Sequence, residues 1–297
     1  MHPSAGVVLG LASAFCWGSA DFAARFTSRK VGAYRALFFM QFFGFVLLGV
    51  YLKWSGGLSR GVAPGWQPWA MAFAGGVLNV AASLALYHSF EVGTLSIVGP
   101  VSSSYPALTV ALSLLSGEHL HLVRGIGLAV TLAGVIFAST SFTSLKVKKA
   151  AAGSGESARL SRGVGWAIAA ALGFGVMFWF LGFHVLPVVP APVSVWVMRG
   201  TAIVALGMMA APGRQSLKLP SGVVWWGLFA AGILDTSAFL ANNAGLQLGQ
   251  VSVVSVLASL YGAVTVLLAW IFLRERLEIS QWCGIAMIFA GIVLVSL

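Results

Sequence analysis

The second half of this 297-residue chain repeats the first, and the repeat restricts the fold more than any single motif. Shifted by 156 residues, Trp69–Leu112 lies over Trp225–Leu268, with seventeen of forty-four positions identical. The pairs include Trp69/Trp225, Tyr105/Tyr261 and Thr109/Thr265, residue types that a biased apolar composition would not readily align at one offset. One residue of slippage then extends the match to Glu118/Glu275, Gly127/Gly284 and Ala133-Gly134/Ala290-Gly291.

What repeats is apolar. The chain is 59% hydrophobic and 8% charged, whereas soluble domains carry roughly a quarter charged residues. Lipid is the solvent that suits this composition, and a helix needs about 20 apolar residues to cross it. Ten stretches qualify: 6–24, 33–52, 68–88, 94–116, 121–141, 163–183, 192–211, 222–245, 250–273 and 279–297. The predicted fold is therefore an all-α membrane protein of ten transmembrane helices. Residues 1–141 form the first five-helix repeat and 163–297 the second. Between them, 142–162 reads as a flexible Gly/Ser/Ala-rich linker with Lys146, Lys148, Lys149, Arg159 and Arg162.

Five is odd, so the second copy enters the membrane inverted relative to the first. Inverted repeats are a device of secondary transporters, in which two exchangeable packings give alternating access. The expected partners are a small-molecule substrate and the lipid bilayer. A membrane enzyme would need a nucleophile or a metal constellation such as HExxH, and no such motif is present. A channel or a membrane scaffold without carrier activity is the alternative from another class. No ATP-binding motif occurs, which leaves an ion gradient, exchange or the substrate's own gradient as the energy source; no cofactor is expected.

The net charge of +10 does not indicate nucleic acid, because Lys and Arg fall mostly in short loops, as expected beside anionic lipid. Counting Arg35, the loops 1–2, 5–6, 7–8 and 9–10 hold thirteen Lys and Arg; the other side holds Lys53, Arg60 and Arg124. This bias puts the linker in the cytoplasm and both termini outside. No basic n-region precedes the first apolar run, which is expected to remain as a helix. Cys16 and Cys283 have no metal or CxxC spacing and read as small core residues.

Of seven acids, Asp235 lies in the middle of span 8 and Asp21 near the end of span 1. An ionised carboxylate at the bilayer centre costs at least about 2.5 kcal/mol, so Asp235 is expected to face a partner or a wet cavity. Asp235 and Asp21 are candidates for binding a cation or amine and for proton coupling; a helix–helix hydrogen bond is the plainer role. Helical phase groups Trp17 with Asp21, Asn79 with Ser83, and Asp235 with Asn242. The repeat sets Asp235 opposite Asn79; carried back to span 1, it sets Trp17 opposite Leu172 and Asp21 opposite Val176. Trp179 adds an aromatic on span 6, and a Trp face beside a carboxylate suits a cation. The candidate binding set is Trp17, Asp21, Asn79, Ser83, Tyr105, Trp179, Asp235, Asn242 and Tyr261.

Other features have plainer readings. Arg35 and Arg199 are expected to snorkel, with contact to an anion as the alternative. Pro100 and Pro106 predict a kink in span 4, with Gly262 opposite Pro106. Gly6/Gly10 and Ala129/Ala133 allow close packing, within a monomer or across a homodimer.

Trp17-Gly18, Arg35 and Arg199, the pattern Ser96–Pro100–Tyr105-Pro106–Thr109, and the span-ending Glu118 and Glu275 together resemble the EamA-type members of the drug/metabolite transporter superfamily. Ser116-Gly117-Glu118 departs from the pattern, lacking the Arg that flanks Glu275. The resemblance implies a bacterial inner-membrane carrier with a central cavity open to one side at a time, lined by spans 1, 3, 4, 6, 8 and 9. It covers amino-acid exporters, choline and other metabolite carriers, and nucleotide-sugar relatives. Within that range, the carboxylates and tryptophans favour an amine or quaternary ammonium compound such as choline, with a zwitterionic amino acid second.

Overall fold

A computed structural model describes residues 3–57, 62–92, 101–139, 157–210, 213, 216–219, 221–248, 251–273 and 279–296. The first repeat comprises α1 (Pro3–Val31), α2 (Ala33–Ser55), α3 (Gln67–Val92), α4 (Tyr105–Leu115) and α5 (Leu122–Ser139). The second comprises α6 (Ser157–Phe180), extended by a π-helical turn at Leu181–Val185, then α7 (Ala191–Ala210), α8 (Val223–Gln247), α9 (Val251–Ala258), α10 (Tyr261–Leu273) and α11 (Ile279–Ser296). Helix α6 begins at Ser157, inside the segment expected to be linker.

Among the described residues, seven helical stretches are long and apolar enough to cross a membrane, and three shorter apolar helices accompany them. Large apolar side chains such as Val8, Phe15, Phe73, Leu115 and Phe272 point outward, while Ser13, Thr109, Asn242, Ser252 and Ser259 are buried. That distribution suits a lipid surround, where helix contacts favour small and polar groups.

The fourth span of each repeat is broken at matching places. A turn at 103–104 precedes α4, and a turn at 259–260 separates α9 from α10. Proline is not the common cause, since the second break has none. Ser104 Oγ donates to the Val101 carbonyl and Ser259 Oγ to the Val256 carbonyl, each at 2.7 Å. A hydroxyl that occupies a carbonyl in this way competes with the helical ladder. Pro106 sits in the first turn of α4, where its missing N–H leaves no bond unmade; Pro100 lies outside the described residues.

Helices of one repeat pack on those of the other in an exchanged pattern. Helix α1 packs against α8 and α10, while α6 packs against α3 and α4; α2 meets α7 and α5 meets α11. The details recur. Thr109 Oγ1 donates to the Gly175 carbonyl at 3.1 Å, and Thr265 Oγ1 to the Gly18 carbonyl at 3.2 Å. A Cβ on Gly18 would stand 2.6 Å from Val264 Cβ, and one on Gly175 2.8 Å from Leu108 Cβ.

These contacts correct the register of the first helices. Gly18 corresponds to Gly175, so Trp17 stands opposite Phe174 and Asp21 opposite Phe178, rather than Leu172 and Val176. The identities begin only at Trp69, so a register carried back from them to span 1 extrapolates through loops of unequal length. For the second helices, α2 begins at Ala33 and α7 at Ala191, which sets Gln41 opposite Arg199; at the same offset Gly76 approaches Thr201 while Gly232 approaches Met40 and Phe43. Gly10 is used inside the chain, against Leu257 and Val254.

Candidate functional site

A cavity of about 100 Å³ lies between the repeats. Trp17 and Asp21 of α1, Asn79 and Ser83 of α3, Tyr105 of α4, Asp235 of α8 and Tyr261 of α10 line it. Leu37, Met40 and Gln41 of α2, Leu86 of α3, Phe174 and Phe178 of α6, and Phe239 of α8 complete the wall. The lining belongs to the later half of α1 and α3 and the early part of α2, so the cavity runs from mid-bundle toward the end where α1 passes into α2.

At its floor, Asp235 is fully engaged. Its Oδ1 accepts from Trp17 Nε1 at 3.0 Å, and its Oδ2 stands 2.7 Å from Arg199 Nη1. Arg199 Nη1 also donates to Gln41 Oε1, and the guanidinium carbon lies 4.6 Å over the Phe239 ring. The Arg199 side chain is 2% exposed and that of Asp235 is 15% exposed. Arg199 therefore does not snorkel. It is the ninth residue of α7, about 12 Å from the helix start at 1.5 Å per residue, and its charge is met inside the bundle. A buried guanidinium is tolerable only when paired and hydrogen-bonded in this way.

The Trp17 ring is held on three sides. It meets Phe239 edge-on at 4.9 Å, Phe178 at 5.9 Å and Tyr261 at 6.3 Å. One turn further along α1, Asp21 is exposed to the cavity. No Lys or Arg is among the described residues that line the space. Ser83 Oγ donates to Asn79 Oδ1 at 3.1 Å on the facing wall. Thr109 and Thr265, by contrast, serve helix contacts and do not line the cavity.

The opposite end of the bundle is tied shut. Leu181, Val185, Leu186 and Val189 bury their side chains where α6 ends. Gln247 Nε2 donates to the Leu186 carbonyl at 2.9 Å while its Oε1 accepts from the Ala191 N–H at 3.2 Å, and the Ala63 N–H donates to the Val188 carbonyl at 2.9 Å. Gly117, at φ +92°, ends α4 so that the Glu118 N–H reaches the Ser113 carbonyl at 3.0 Å. That turn aims Glu118 at the first residues of α9. The Ser252 N–H is 3.1 Å and its Oγ 2.9 Å from Glu118 Oε2. Burial pushes the Glu118 carboxyl above the usual range, and the Ser252 hydrogen bonds partly offset this. Its repeat counterparts Glu275 and Ser96 lie outside the described residues.

Two sequence candidates stand away from the cavity. Trp179 is at the tied end, where its Nε1 donates to Ser116 Oγ at 2.7 Å. Asn242 is buried two turns beyond Asp235 and its amide meets Asn243. Sequence reasoning missed the α2 wall, Phe174, Phe178 and Phe239, and the partner role of Arg199. An arginine nine residues into an apolar helix was the available signal.

The EamA-like transporter family model matches residues 4–140 and 161–297. An uncharacterised protein of Methanocaldococcus jannaschii is 45% identical over 71 residues, covering 24% of this chain and 52% of its own length. The match thus spans about half of that relative. A solved protein structure superposes with a TM-score of 0.78 at 18% identity, covering 98% of this chain and 97% of its own, and shares the fold.

Proposed function

The chain belongs to the EamA-like transporter family, a family of multi-pass membrane transporters of small solutes, and on that premise we propose that it carries an organic cation by alternating access. Ten crossings in two inverted repeats are the architecture this reading requires. The exchanged helix contacts support it, as does the cavity tied shut at one end and extending toward the other. Loop charge puts that other end in the cytoplasm, in a bacterial inner membrane.

The observation that carries the substrate class is Asp21. It is a carboxylate exposed inside a cavity walled by Trp17, Tyr105, Phe174, Phe178, Phe239 and Tyr261. Aromatic walls and a carboxylate suit an ammonium group. A zwitterionic amino acid would also need a cationic contact for its carboxylate. Arg199 lies behind the wall and is held by Asp235, so the amine reading is preferred.

The test is uptake and counterflow in proteoliposomes, with choline as the quaternary ammonium probe and leucine as the zwitterion. Saturable choline counterflow without leucine counterflow is expected. Leucine counterflow alone would reverse the substrate assignment. Flux without counterflow would indicate a channel, and neither flux nor ligand-raised melting would indicate a scaffold.

A further inference from the structure

Two carboxylates line the cavity, yet one of them is already neutralised by a cation buried behind the wall. We propose that Arg199 sets the valence of the substrate: by cancelling Asp235 it leaves one formal negative charge, at Asp21, and the cavity selects monovalent over divalent organic cations. The inference rests on the cation reading above.

Arg199 is built for a fixed role. It is 1% exposed, so no substrate reaches it without displacing the wall. Its Nη1 is committed to Asp235 and Gln41, and its face lies on Phe239. Its Nε and Nη2 find no hydrogen-bond partner among the described residues, which leaves Asp235 as the group that holds the charge in place.

The repeat supplies the control. Where the second half has Arg199 and Asp235, the first has Gln41 and Asn79, a neutral pair at corresponding places. The double variant Arg199→Gln/Asp235→Asn therefore writes the first repeat's residue types into the second. It keeps the cavity at the same formal charge while removing the ion pair.

The experiment measures competition between choline and (2-aminoethyl)trimethylammonium, which has an ammonium where choline has its hydroxyl. The probes match in size and, at a pH below the pKa of the amine, which the neighbouring quaternary charge lowers, differ by one charge. The wild type should prefer choline. Arg199→Gln should move the preference toward the dication by about tenfold or more, through the attraction of a second uncancelled carboxylate. Asp235→Asn, which leaves Arg199 uncancelled, should lower choline affinity by a similar factor. The double variant should return the ratio to near the wild-type value.

An unchanged ratio in folded Arg199→Gln, or an equal shift in the double variant, overturns the inference while leaving the cation reading intact. Should Arg199→Gln fail to fold, Asp235→Asn and the double variant decide. Undiminished choline affinity in Asp235→Asn, or a double variant that favours the dication, overturns it. Binding of neither probe by the wild type brings down the cation reading as well.

Discussion

Gly18 and Gly175 stand at matching places in the two repeats, and each accepts a threonine hydrogen bond and admits a neighbouring helix at close range. Three residues further along the same helices, Asp21 and Phe178 also match in place, and their chemistry has nothing in common. The contrast recurs at Trp17 with Phe174, at Asp235 with Asn79 and at Arg199 with Gln41. Contacts that hold helix against helix are duplicated, whereas the groups that give the cavity its charge occur once. Packing between the two repeats is duplicated, because both copies solve the same steric problem. Under the proposed reading a substrate has no such symmetry, so the charged groups of the cavity need not recur, although Tyr105 and Tyr261 line it from both repeats.

The sharpest break in that comparison is predicted at Arg199 and Gln41. Arg199→Ala leaves Asp235 as a largely buried, uncompensated charge, for which a loss of about 3–5 kcal/mol is expected. Gln41→Ala removes one neutral hydrogen-bonding partner and should cost roughly 1 kcal/mol. Thermal or denaturant unfolding in detergent measures both, and equal losses would mean that the ion pair has no special structural weight.

Where the repeats agree, mutational costs should agree. Gly18→Ala and Gly175→Ala each place a Cβ within 3.0 Å of a neighbouring helix, and overpacking of this kind typically costs about 1–3 kcal/mol. The two losses should lie close together. A large loss at one glycine with none at the other would show that the matched contacts differ in energy.

The smallest effect concerns Glu118 at the tied end. Burial raises its pKa relative to an exposed carboxylate, with the Ser252 hydrogen bonds pulling the other way. A raised acid pKa stabilises the tied arrangement fully below the ordinary carboxylate range. That contribution fades as pH rises through the raised value. Accessibility of a cysteine placed at Val188 should therefore increase modestly with pH across that window, and Glu118→Gln should flatten the dependence. The opposite slope would mean that the charged form, held by Ser252, is the tighter latch.

Much of this was readable from the residues. Lipid demands long apolar runs, so helices were visible at Ala5–Ala24, Tyr34–Ser55, Ala191–Ala210 and Val223–Gln247. Helical phase gathered Trp17 with Asp21 and Asn79 with Ser83, and the structure sets all four on one cavity. Phase does not say how deep a cavity runs. Asn242 shares a face with Asp235 but lies beyond the floor, and Trp179 lies past the aromatic wall. Proline drew attention to the break in span 4, although serine hydroxyls mark both breaks. The Arg199–Asp235 pair joins helices 36 residues apart in sequence, and no local pattern encodes it.

Asp21→Asn tests the central claim most directly, since it removes the carboxylate that, among the described residues lining the cavity, no cation neutralises, while keeping size and hydrogen-bonding capacity. Equilibrium binding of choline to purified wild type and variant is the measurement, with melting temperature as the control for folding. A fall in affinity of about tenfold or more is predicted, with melting unchanged or slightly raised because an acid in a membrane cavity has been neutralised. Unchanged choline affinity in a folded Asp21→Asn variant would contradict the account.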